Sequence, residues 1–254
     1  MLDDAILNSY CQTFAGYGQW LAPVWFVGIE EAGGKTESEI RQRLDVWVSR
    51  GSRELEDATA FYPESGNSRW HGSDATAQPT WKQLIRMLLL AQGKATTPNA
   101  ILDYQRNLLG KFGGETCLVE LFPLPAPSLQ DWLYAPWSRL PWLESRIAYE
   151  KEVLSGRINL LRQRIDRFQP SVVVFYGDGQ LRHWQRIIGA GTYRRPIPGK
   201  LIGHQRDGLQ FFVTKHPACP GFLPSVDDYF DEVGRFLHTH CPQCFKKPLI
   251  QEGK

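Results

Sequence analysis

Four short apolar runs, each bounded by turn-forming residues, mark the hydrophobic pattern of this chain. They cover residues 24–28, 116–122, 172–176 and 211–214, and the first of them reads Val-Trp-Phe-Val-Gly. Uninterrupted apolar runs of this length are typical of strands that are buried on both faces, as in a parallel sheet. We therefore predict a central sheet that is built from these four strands.

Between the strands, apolar residues recur at spacings of three and four, which predicts amphipathic helices. The predicted helices cover residues 80–93, 99–110, 143–168, 180–188 and 226–238. The polar, glycine-dotted stretch 51–78 is predicted to be a long loop. Strands joined by helical crossovers give an α/β fold, here a three-layer α/β/α arrangement around a four-stranded, mostly parallel sheet. We expect a single domain over residues 1–240 and a C-terminal tail over residues 241–254.

The composition is that of a folded protein without membrane or disulfide features. The chain has 254 residues, of which 42% are hydrophobic and 22% charged, and it contains five cysteines. An odd number of cysteines argues against a secreted disulfide framework. The start Leu2-Asp3-Asp4 lacks the cationic segment of a signal peptide. We expect a cytoplasmic, monomeric protein with no membrane-spanning segment.

The distribution of charge favours a nucleic-acid partner more than the net charge does. The formal net charge is only +2, but residues 181–206 contain no acidic residue, while arginine and lysine recur along them. Such a stretch is able to follow a phosphate backbone, which makes Arg182, Arg194 and Arg195 candidate DNA contacts. A solvated helix face and loop is the alternative interpretation of the same stretch.

A group of histidines and cysteines near the C-terminus consists of residue types that bind zinc. It comprises His238, His240, Cys241 and Cys244. One Cys-x-x-Cys lacks the second ligand pair that zinc sites have at a regular spacing. A helix end followed by a solvated tail is therefore the preferred interpretation, and we expect neither a metal nor a cofactor.

Two of the apolar runs end at loops that carry candidate chemistry. The first run is followed by Glu30 and Glu31, and the last by Lys215, His216 and Pro217. In a parallel sheet, ligands bind just beyond the carboxyl ends of the strands, so both loops are expected to face one crevice. A carboxylate and an imidazole would then meet over one substrate.

These two loops resemble those of the uracil-DNA glycosylase superfamily. In that family one strand ends in a loop with a glycine and a water-activating acidic or amide residue, to which Gly28-Ile29-Glu30 is similar. A later strand leads into a His-Pro loop that contacts the leaving base, to which His216-Pro217 is similar. The order of the elements fits over about residues 20–238. The resemblance implies an enzyme that flips a nucleotide out of DNA and hydrolyses its glycosidic bond.

The chain departs from the family pattern at several positions. Glu31 stands where many members have proline, and Glu120 stands where uracil enzymes carry the asparagine that reads the base. The aromatic residue that stacks on the base has no unambiguous counterpart. The candidates for contact with the base are Phe61, Tyr62, Trp70 and Phe122.

The resemblance also implies roles for the two loops. Cleavage of the glycosidic bond develops positive charge on the sugar, which a carboxylate stabilises while it orients the attacking water. Glu30 is the first candidate for this role and Glu31 the second. His216 would stabilise the departing base as a neutral imidazole. A solvated acidic pair and a hydrogen-bonded loop histidine are the alternative interpretations.

Further contacts to DNA are expected around the same loops. The N–H groups of Gly33 and Gly34 and the side chain of Lys215 are predicted to contact phosphates. Phe222 is predicted to wedge into the duplex and to hold the flipped nucleotide out, with simple packing as the alternative.

The hypothesis about which base is recognised rests on Glu120. A carboxylate accepts a hydrogen bond from the N4 amino group of cytosine, whereas uracil presents an oxygen at that place. We therefore expect a monofunctional DNA glycosylase that acts on a modified or deaminated pyrimidine. The favoured base is hydroxymethylated or glucosylated cytosine of phage DNA, which would suit a defence enzyme. A structural acid paired with an arginine is the alternative role of Glu120.

Other functions stay open at the level of the sequence. A uracil-DNA glycosylase of base excision repair would share most of these features, and so would a catalytically silent DNA-binding protein of the same fold. A nucleotide hydrolase that uses Gly33-Gly34-Lys35 ranks last, because these residues lack the full spacing of a P-loop.

Overall fold

Eight helices and eight strands make up the described part of a computed structural model, residues 1–72 and 74–245. The helices are α1 (Asp4–Thr13), α2 (Glu37–Ser49), α3 (Ala58–Glu64), α4 (Pro79–Ala91), α5 (Pro98–Asn107), α6 (Arg146–Phe168), α7 (Leu181–Ile188) and α8 (Val226–His240). The strands are β1 (Gly16–Gly18), β2 (Val24–Gly28), β3 (Leu55–Glu56), β4 (Thr116–Glu120), β5 (Val172–Tyr176), β6 (Arg194–Ile197), β7 (Leu201–Arg206) and β8 (Leu209–Thr214). None of the helices in these residues has the length and apolar character needed to span a lipid bilayer.

All eight strands form one mixed sheet in the order β3-β1-β4-β2-β5-β8-β7-β6. Strand β2 pairs in parallel with β4 and β5, and β5 pairs in parallel with β8. Strand β1 is antiparallel to β4, and β7 is antiparallel to both β8 and β6. The predicted α/β class is confirmed, but the predicted number of four strands was wrong. Three of the four added strands escape the hydrophobic pattern because β1 and β3 have only three and two residues and β6 is largely exposed. The fourth, β7, is buried over its first four residues, but its sequence Leu-Ile-Gly-His-Gln-Arg contains no continuous apolar run.

The central strands are covered on both faces. Every residue of β2 and β5 is buried, which explains why their sequences are apolar without alternation. Among the helices, α4 packs against α5 and α8, while α6 packs against α1 and α7. In α4, Leu84, Ile85 and Leu88 are buried at the spacing that the sequence pattern predicted.

The stretch 51–78, predicted to be a loop, contains β3, α3 and a 3₁₀ turn at Ser68–Trp70. The side chain of Asp57 caps α3 by accepting a hydrogen bond from the N–H of Thr59. Seven residues give α3 only two turns, too few for a periodic hydrophobic pattern to stand out. Its structure is therefore set by capping and by burial against the rest of the domain.

The C-terminal boundary of the domain also needs correction. A 3₁₀ turn at Pro242–Phe245 follows α8, and Cys244 and Phe245 are 6% and 2% exposed. The folded part therefore extends at least to Phe245, and the remainder of the predicted tail, 246–254, lies outside the described residues. Within the part of the chain that is described, no group of three or more His, Cys, Asp or Glu residues is arranged to hold a metal ion.

The topology determines where a ligand site is expected. The carboxyl ends of β2, β4 and β5 lie side by side, with Gly28 opposite Glu120 and Val27 opposite Phe175. After β2, the next parallel strand along the chain, β4, lies on one side of it and β5 lies on the other. A crevice at such a switch point, beyond the carboxyl ends of the strands, is where α/β proteins bind ligands.

Candidate active site

A cavity of about 470 Å³ lies at this edge of the sheet. Its size falls within the range of about 300–1,000 Å³ that is typical of ligand pockets. The loops after β2 and β8 both contribute to it, so the two loops singled out in the sequence do meet. The side chains that line the cavity include Glu30, Glu31, Trp70, Glu120, Tyr176 and His216.

Glu30 is held by an arginine from the first turn of α6. Arg146 donates two hydrogen bonds, from Nη1 to Glu30 Oε2 at 2.7 Å and from Nη2 to Oε1 at 3.1 Å. The Glu30 side chain is only 5% exposed, and burial raises the pKa of its carboxyl while Arg146 opposes that shift. Arg146 also donates to the carbonyl oxygens of Ser128 and Asp131, which fixes its orientation. Sequence reasoning missed Arg146, which is 116 residues away from Glu30.

Glu31 belongs to a buried hydrogen-bond network. Its Oε1 accepts from Arg43 Nη2 at 2.5 Å and from the Tyr17 hydroxyl at 2.9 Å, and its Oε2 accepts from the Tyr62 hydroxyl at 2.9 Å. The Arg43 guanidinium also donates to the Tyr10 hydroxyl. Because both oxygens of Glu31 are occupied, the suggestion that it activates water is revised. Glu31 instead positions Tyr62, which lines the cavity.

Among residues 1–72 and 74–245, no cation forms a salt bridge with the carboxyl group of Glu120, the last residue of β4. Its Oε1 accepts a hydrogen bond from the Tyr176 hydroxyl at 2.6 Å, while its buried Oε2 has no hydrogen-bond partner among the described residues. Burial, reinforced by the nearby charges of Glu31 and Glu30, holds the pKa of the Glu120 carboxyl well above its usual value. Arg157 donates to the main-chain oxygen of Glu120, so the predicted alternative of a carboxylate paired with arginine is not observed. Burial therefore favours the neutral form of this carboxyl group over the carboxylate on which the hypothesis of base reading rests.

Close packing explains why residue 28 is a glycine. A Cβ atom at this position would lie 2.2 Å from Glu120 Oε2 and 2.2 Å from the Tyr176 hydroxyl oxygen. Strand β2 lies between β4 and β5, so the two side chains meet above Gly28. The glycine of the first loop motif thus makes room for a hydrogen bond between its two neighbouring strands.

His216 lies in the loop after β8, half-buried in the cavity wall. Its Nδ1 accepts a hydrogen bond from the N–H of Ala218 at 3.1 Å, which assigns the proton of the neutral ring to Nε2. Burial lowers the pKa of the imidazole, and the ring packs at a tilt against Tyr176, with 5.6 Å between centroids. His216 is therefore a neutral donor, as its predicted role requires.

The predicted aromatic contacts divide into two groups. Trp70 and Tyr62 line the cavity together with Trp81, whose ring meets Tyr62 edge-on at 5.1 Å. Phe61 and Phe122 do not line it: they are 0% and 2% exposed and pack in the hydrophobic core. The predicted contact of Phe61 and Phe122 with a base is therefore wrong, because Phe61 on α3 and Phe122, two residues after the end of β4, both pack into the core.

The backbone of the Gly-Gly segment is already occupied by internal hydrogen bonds. The N–H of Gly33 donates to the carbonyl oxygen of Ala126 at 3.2 Å, and that of Gly34 donates to Glu39 Oε1 at 2.9 Å. The N–H of Lys35 donates to the other oxygen of the Glu39 carboxylate. The predicted phosphate contact through these N–H groups is therefore wrong, and the nucleotide hydrolase hypothesis loses its basis.

The exposed apolar side chain in the loop after His216 lies one residue further along the chain than predicted. Phe222 is half-buried and packs against Tyr229 and Phe230, with ring centroids 5.0 and 6.2 Å away. The ammonium of Lys215 lies 5.7 Å from the Phe222 ring centroid. Leu223, which the sequence reasoning did not single out, is 82% exposed. Phe222 therefore packs within the protein, and the neighbouring Leu223 is an exposed apolar side chain.

The arginines predicted to contact DNA are all exposed. Arg182 lies on α7, and Arg194 and Arg195 lie on the edge strand β6. A groove of about 630 Å³ beside α7 is lined by Arg162, Arg182 and Arg186 among others. Within residues 181–206, Lys200 and Arg206 are the residues that form ion pairs with carboxylates, which offsets their charge.

The cavity thus combines the Glu30 side chain held by Arg146, the His216 imidazole and the buried Glu120 carboxyl group in a space large enough for a small ligand. No protein-family model matches this sequence, and no curated protein matches it. The function therefore has to be inferred from the side chains of the cavity.

Proposed function

We propose that this protein is a monofunctional DNA glycosylase that receives a flipped pyrimidine in the cavity and hydrolyses its glycosidic bond. The observation that carries the proposal is that Glu30 and His216, from loops after two different parallel strands, line one cavity of about 470 Å³. The proposal includes the three-layer α/β/α architecture of the uracil-DNA glycosylase superfamily. Support for that finer fold comes from the parallel pairing of β4, β2, β5 and β8.

Each group has a defined role in the proposed reaction. As the bond between C1′ of the sugar and N1 of the base breaks, its electron pair moves to the base and the sugar becomes cationic. Glu30, kept ionised by Arg146, stabilises that cation and orients the water that adds to C1′. His216 donates from Nε2 to a carbonyl oxygen of the departing base. In the described part of the chain no lysine lines the cavity, so water is the nucleophile.

The favoured substrate is a cytosine with a bulky hydroxylated substituent. The cavity is several times larger than a pyrimidine ring, so it has room for such a group. Gln78, Thr80 and Ser128 line it beside Trp70, and amide and hydroxyl groups next to an aromatic ring suit a hydroxymethyl group or a sugar. Hydroxymethylated and glucosylated cytosine of phage DNA are therefore the first bases to test, in keeping with a role in defence.

A second candidate function is a DNA-binding protein of the same fold without catalytic activity. The observation in its favour is that both carboxylates of the first loop are paired with arginines, Glu30 with Arg146 and Glu31 with Arg43. An arginine-paired carboxylate is a weak base. It remains an effective electrostatic partner for a sugar cation, which is why the enzymatic function ranks first.

A base-release assay distinguishes the two candidates. DNAs that contain uracil, cytosine, hydroxymethylcytosine or glucosylated hydroxymethylcytosine are incubated with the protein, and abasic sites are scored by alkali cleavage. We expect release of a pyrimidine by the wild type, and a loss of at least about 10²-fold in Glu30→Gln and in His216→Ala. Glu152→Gln, at an exposed carboxylate of α6, is the matched control. DNA binding without release of any base would establish the non-catalytic function instead.

A further inference from the structure

We propose that Glu120 is a general acid of the reaction, which protonates N3 of a cytosine-type base as the glycosidic bond breaks. The inference rests on the proposed glycosylase function and specifies its substrate class. It assigns to Glu120 a chemical role in place of the passive acceptor role suggested by its position alone.

Glu120 lines the cavity proposed for the base, and one of its carboxyl oxygens has no hydrogen-bond partner among the described residues. Glu120 ends β4 and lines the cavity together with Glu30 and His216. Tyr176 anchors Glu120 Oε1 by a hydrogen bond of 2.6 Å, and the close approach over Gly28 restricts where the carboxyl can lie. Glu120 Oε2 is left without a partner in the described residues. A buried carboxyl oxygen without a donor is far less costly as a neutral O–H than as part of an anion.

The charges around the cavity favour a proton on Glu120 over one on its neighbours. The titratable and charged groups that face it are Glu30, Glu31, Tyr62, Arg157, Tyr176 and His216. Glu30 and Glu31 each have their own arginine, Arg146 and Arg43. Arg157 donates to main-chain oxygens and leaves the Glu120 carboxyl unpaired. Carboxyl groups whose environments push their pKa values apart in this way take the acid and the base roles in a reaction.

Cytosine is the kind of base that needs such an acid. Uracil leaves as an anion whose charge is spread over two carbonyl oxygens, and a donor such as His216 is enough to stabilise it. Cytosine has an amino group in place of one carbonyl, so its anion is less stable, and a proton at N3 allows it to leave as a neutral molecule.

The proposed step balances in protons and electrons. The proton of Glu120 moves to N3, the electron pair of the C1′–N1 bond moves to N1, and the base leaves neutral. Water adds to C1′ and passes its proton to Glu30 or to solvent. Glu120 is left ionised and regains a proton from solvent before the next turnover, so that the net reaction consumes one water molecule.

A pair of bases that differ only at position 4 tests the inference. Single-turnover release is measured from oligonucleotides that carry 5-hydroxymethylcytosine or 5-hydroxymethyluracil, and from the same pair with the hydroxymethyl group glucosylated. Glu120→Gln keeps the size and hydrogen bonding of the side chain but has no acidic proton. We expect release of the cytosine base to fall by about 10²-fold in this variant, with release of the uracil base close to that of the wild type.

The experiment distinguishes a failure of the role of Glu120 from a failure of the glycosylase function. Release of the cytosine base by Glu120→Gln at the wild-type rate would overturn the role of Glu120 and leave the glycosylase function standing. Failure of the wild type to release either base of either pair, or any other base, would remove the glycosylase function itself.

The pH dependence gives a second test that does not rely on the Glu120→Gln variant. Since Glu120 must be protonated, release of the cytosine base falls as the pH rises through the pKa of Glu120, and release of the uracil base does not. The Tyr176 hydroxyl stabilises the ionised form of Glu120, so Tyr176→Phe moves this falling limb to higher pH. The inference would be contradicted if the falling limb were the same for both bases and did not move in Tyr176→Phe. A purely structural role of Glu120 would affect the release of both bases alike.

Discussion

Glu30 and Arg146 form a two-point ion pair in the wall of the cavity, with N–O distances of 2.7 and 3.1 Å. Arg146 is the first residue of α6, where the positive end of the helix dipole disfavours a cation. Arg146 is therefore unfavourable for helix stability at this position. Its ion pair with Glu30 explains why an arginine is found there. The pair holds Glu30 in one orientation, and Arg146 opposes the rise that burial causes in the pKa of its carboxyl.

Removal of Arg146 should impair base release through the protonation of Glu30. In Arg146→Ala the buried carboxylate loses its counter-charge, so its pKa rises further and a larger fraction is protonated. We expect single-turnover release to fall by about 10²-fold near neutral pH, with the acidic limb of the pH–rate profile moved to higher pH. Arg146→Lys keeps the positive charge, so its rate of base release should lie between the rates of the wild type and of Arg146→Ala. An unmoved acidic limb in Arg146→Ala would exclude Glu30 as the group that must be ionised.

The pair of Glu31 and Arg43 is expected to matter for stability. Its two side chains are 11% and 8% exposed, and Arg43→Met would leave the Glu31 carboxylate buried without a cation. We expect a loss of about 3–5 kcal/mol in the free energy of unfolding, measured by urea denaturation. The double variant Glu31→Leu/Arg43→Met should recover much of this loss. Arg41→Met, at an exposed pair with Glu37, is the control and should change little.

The raised pKa of the buried Glu120 should make stability fall with rising pH. Its folded-state pKa lies above the unfolded value of 4.5, so its favourable contribution is complete below that value and is lost as the pH rises through the folded pKa. Glu120→Gln removes this dependence. We therefore expect the Tm of the variant, relative to the wild type, to increase between pH 5 and pH 9. A constant difference in Tm over that range would show that Glu120 is ionised in the folded protein.

Leu223 and Phe222 should separate contact with DNA from packing. Leu223 is 82% exposed, so Leu223→Ala should leave the Tm unchanged while it lowers base release from double-stranded DNA more than from single-stranded DNA. Phe222→Ala removes contacts with Tyr229 and Phe230 and should cost about 1–3 kcal/mol of stability. Equal effects of Leu223→Ala on both DNA forms would argue against a wedge.

The exposed arginines should act through the phosphates of DNA. We expect Arg182→Ala to weaken DNA binding to a similar extent for all sequences and to reduce the slope of log K against log salt by about 1. Arg235→Ala is a suitable control, because Arg235 is also exposed, on α8, but paired with Asp231. A slope that Arg182→Ala leaves unchanged would place the DNA elsewhere on the surface.

The local pattern of the sequence was sufficient for the four central strands and for the helices α4 to α8, but it did not predict α1 or α2. Strands such as β2 and β5 are buried on both faces and must be apolar throughout, and α4 and α6 are long enough to show a period near 3.6. The order of the loops then predicted that Glu30 and His216 would face one crevice. Short elements such as β3 and α3 lack this signal, because capping and long-range packing determine them.

What only the tertiary structure decided is the state of each side chain in that crevice. Glu30, Glu31 and Glu120 are the same residue type, yet one has Arg146 as its partner, one has Arg43 and the last has only Tyr176. These partners come from distant parts of the chain, so no local sequence pattern predicts them. Because the charge of a buried carboxyl depends on its desolvation and its partners, the sequence could predict that Glu30 and His216 meet, whereas the fold decided which partner each carboxyl group has.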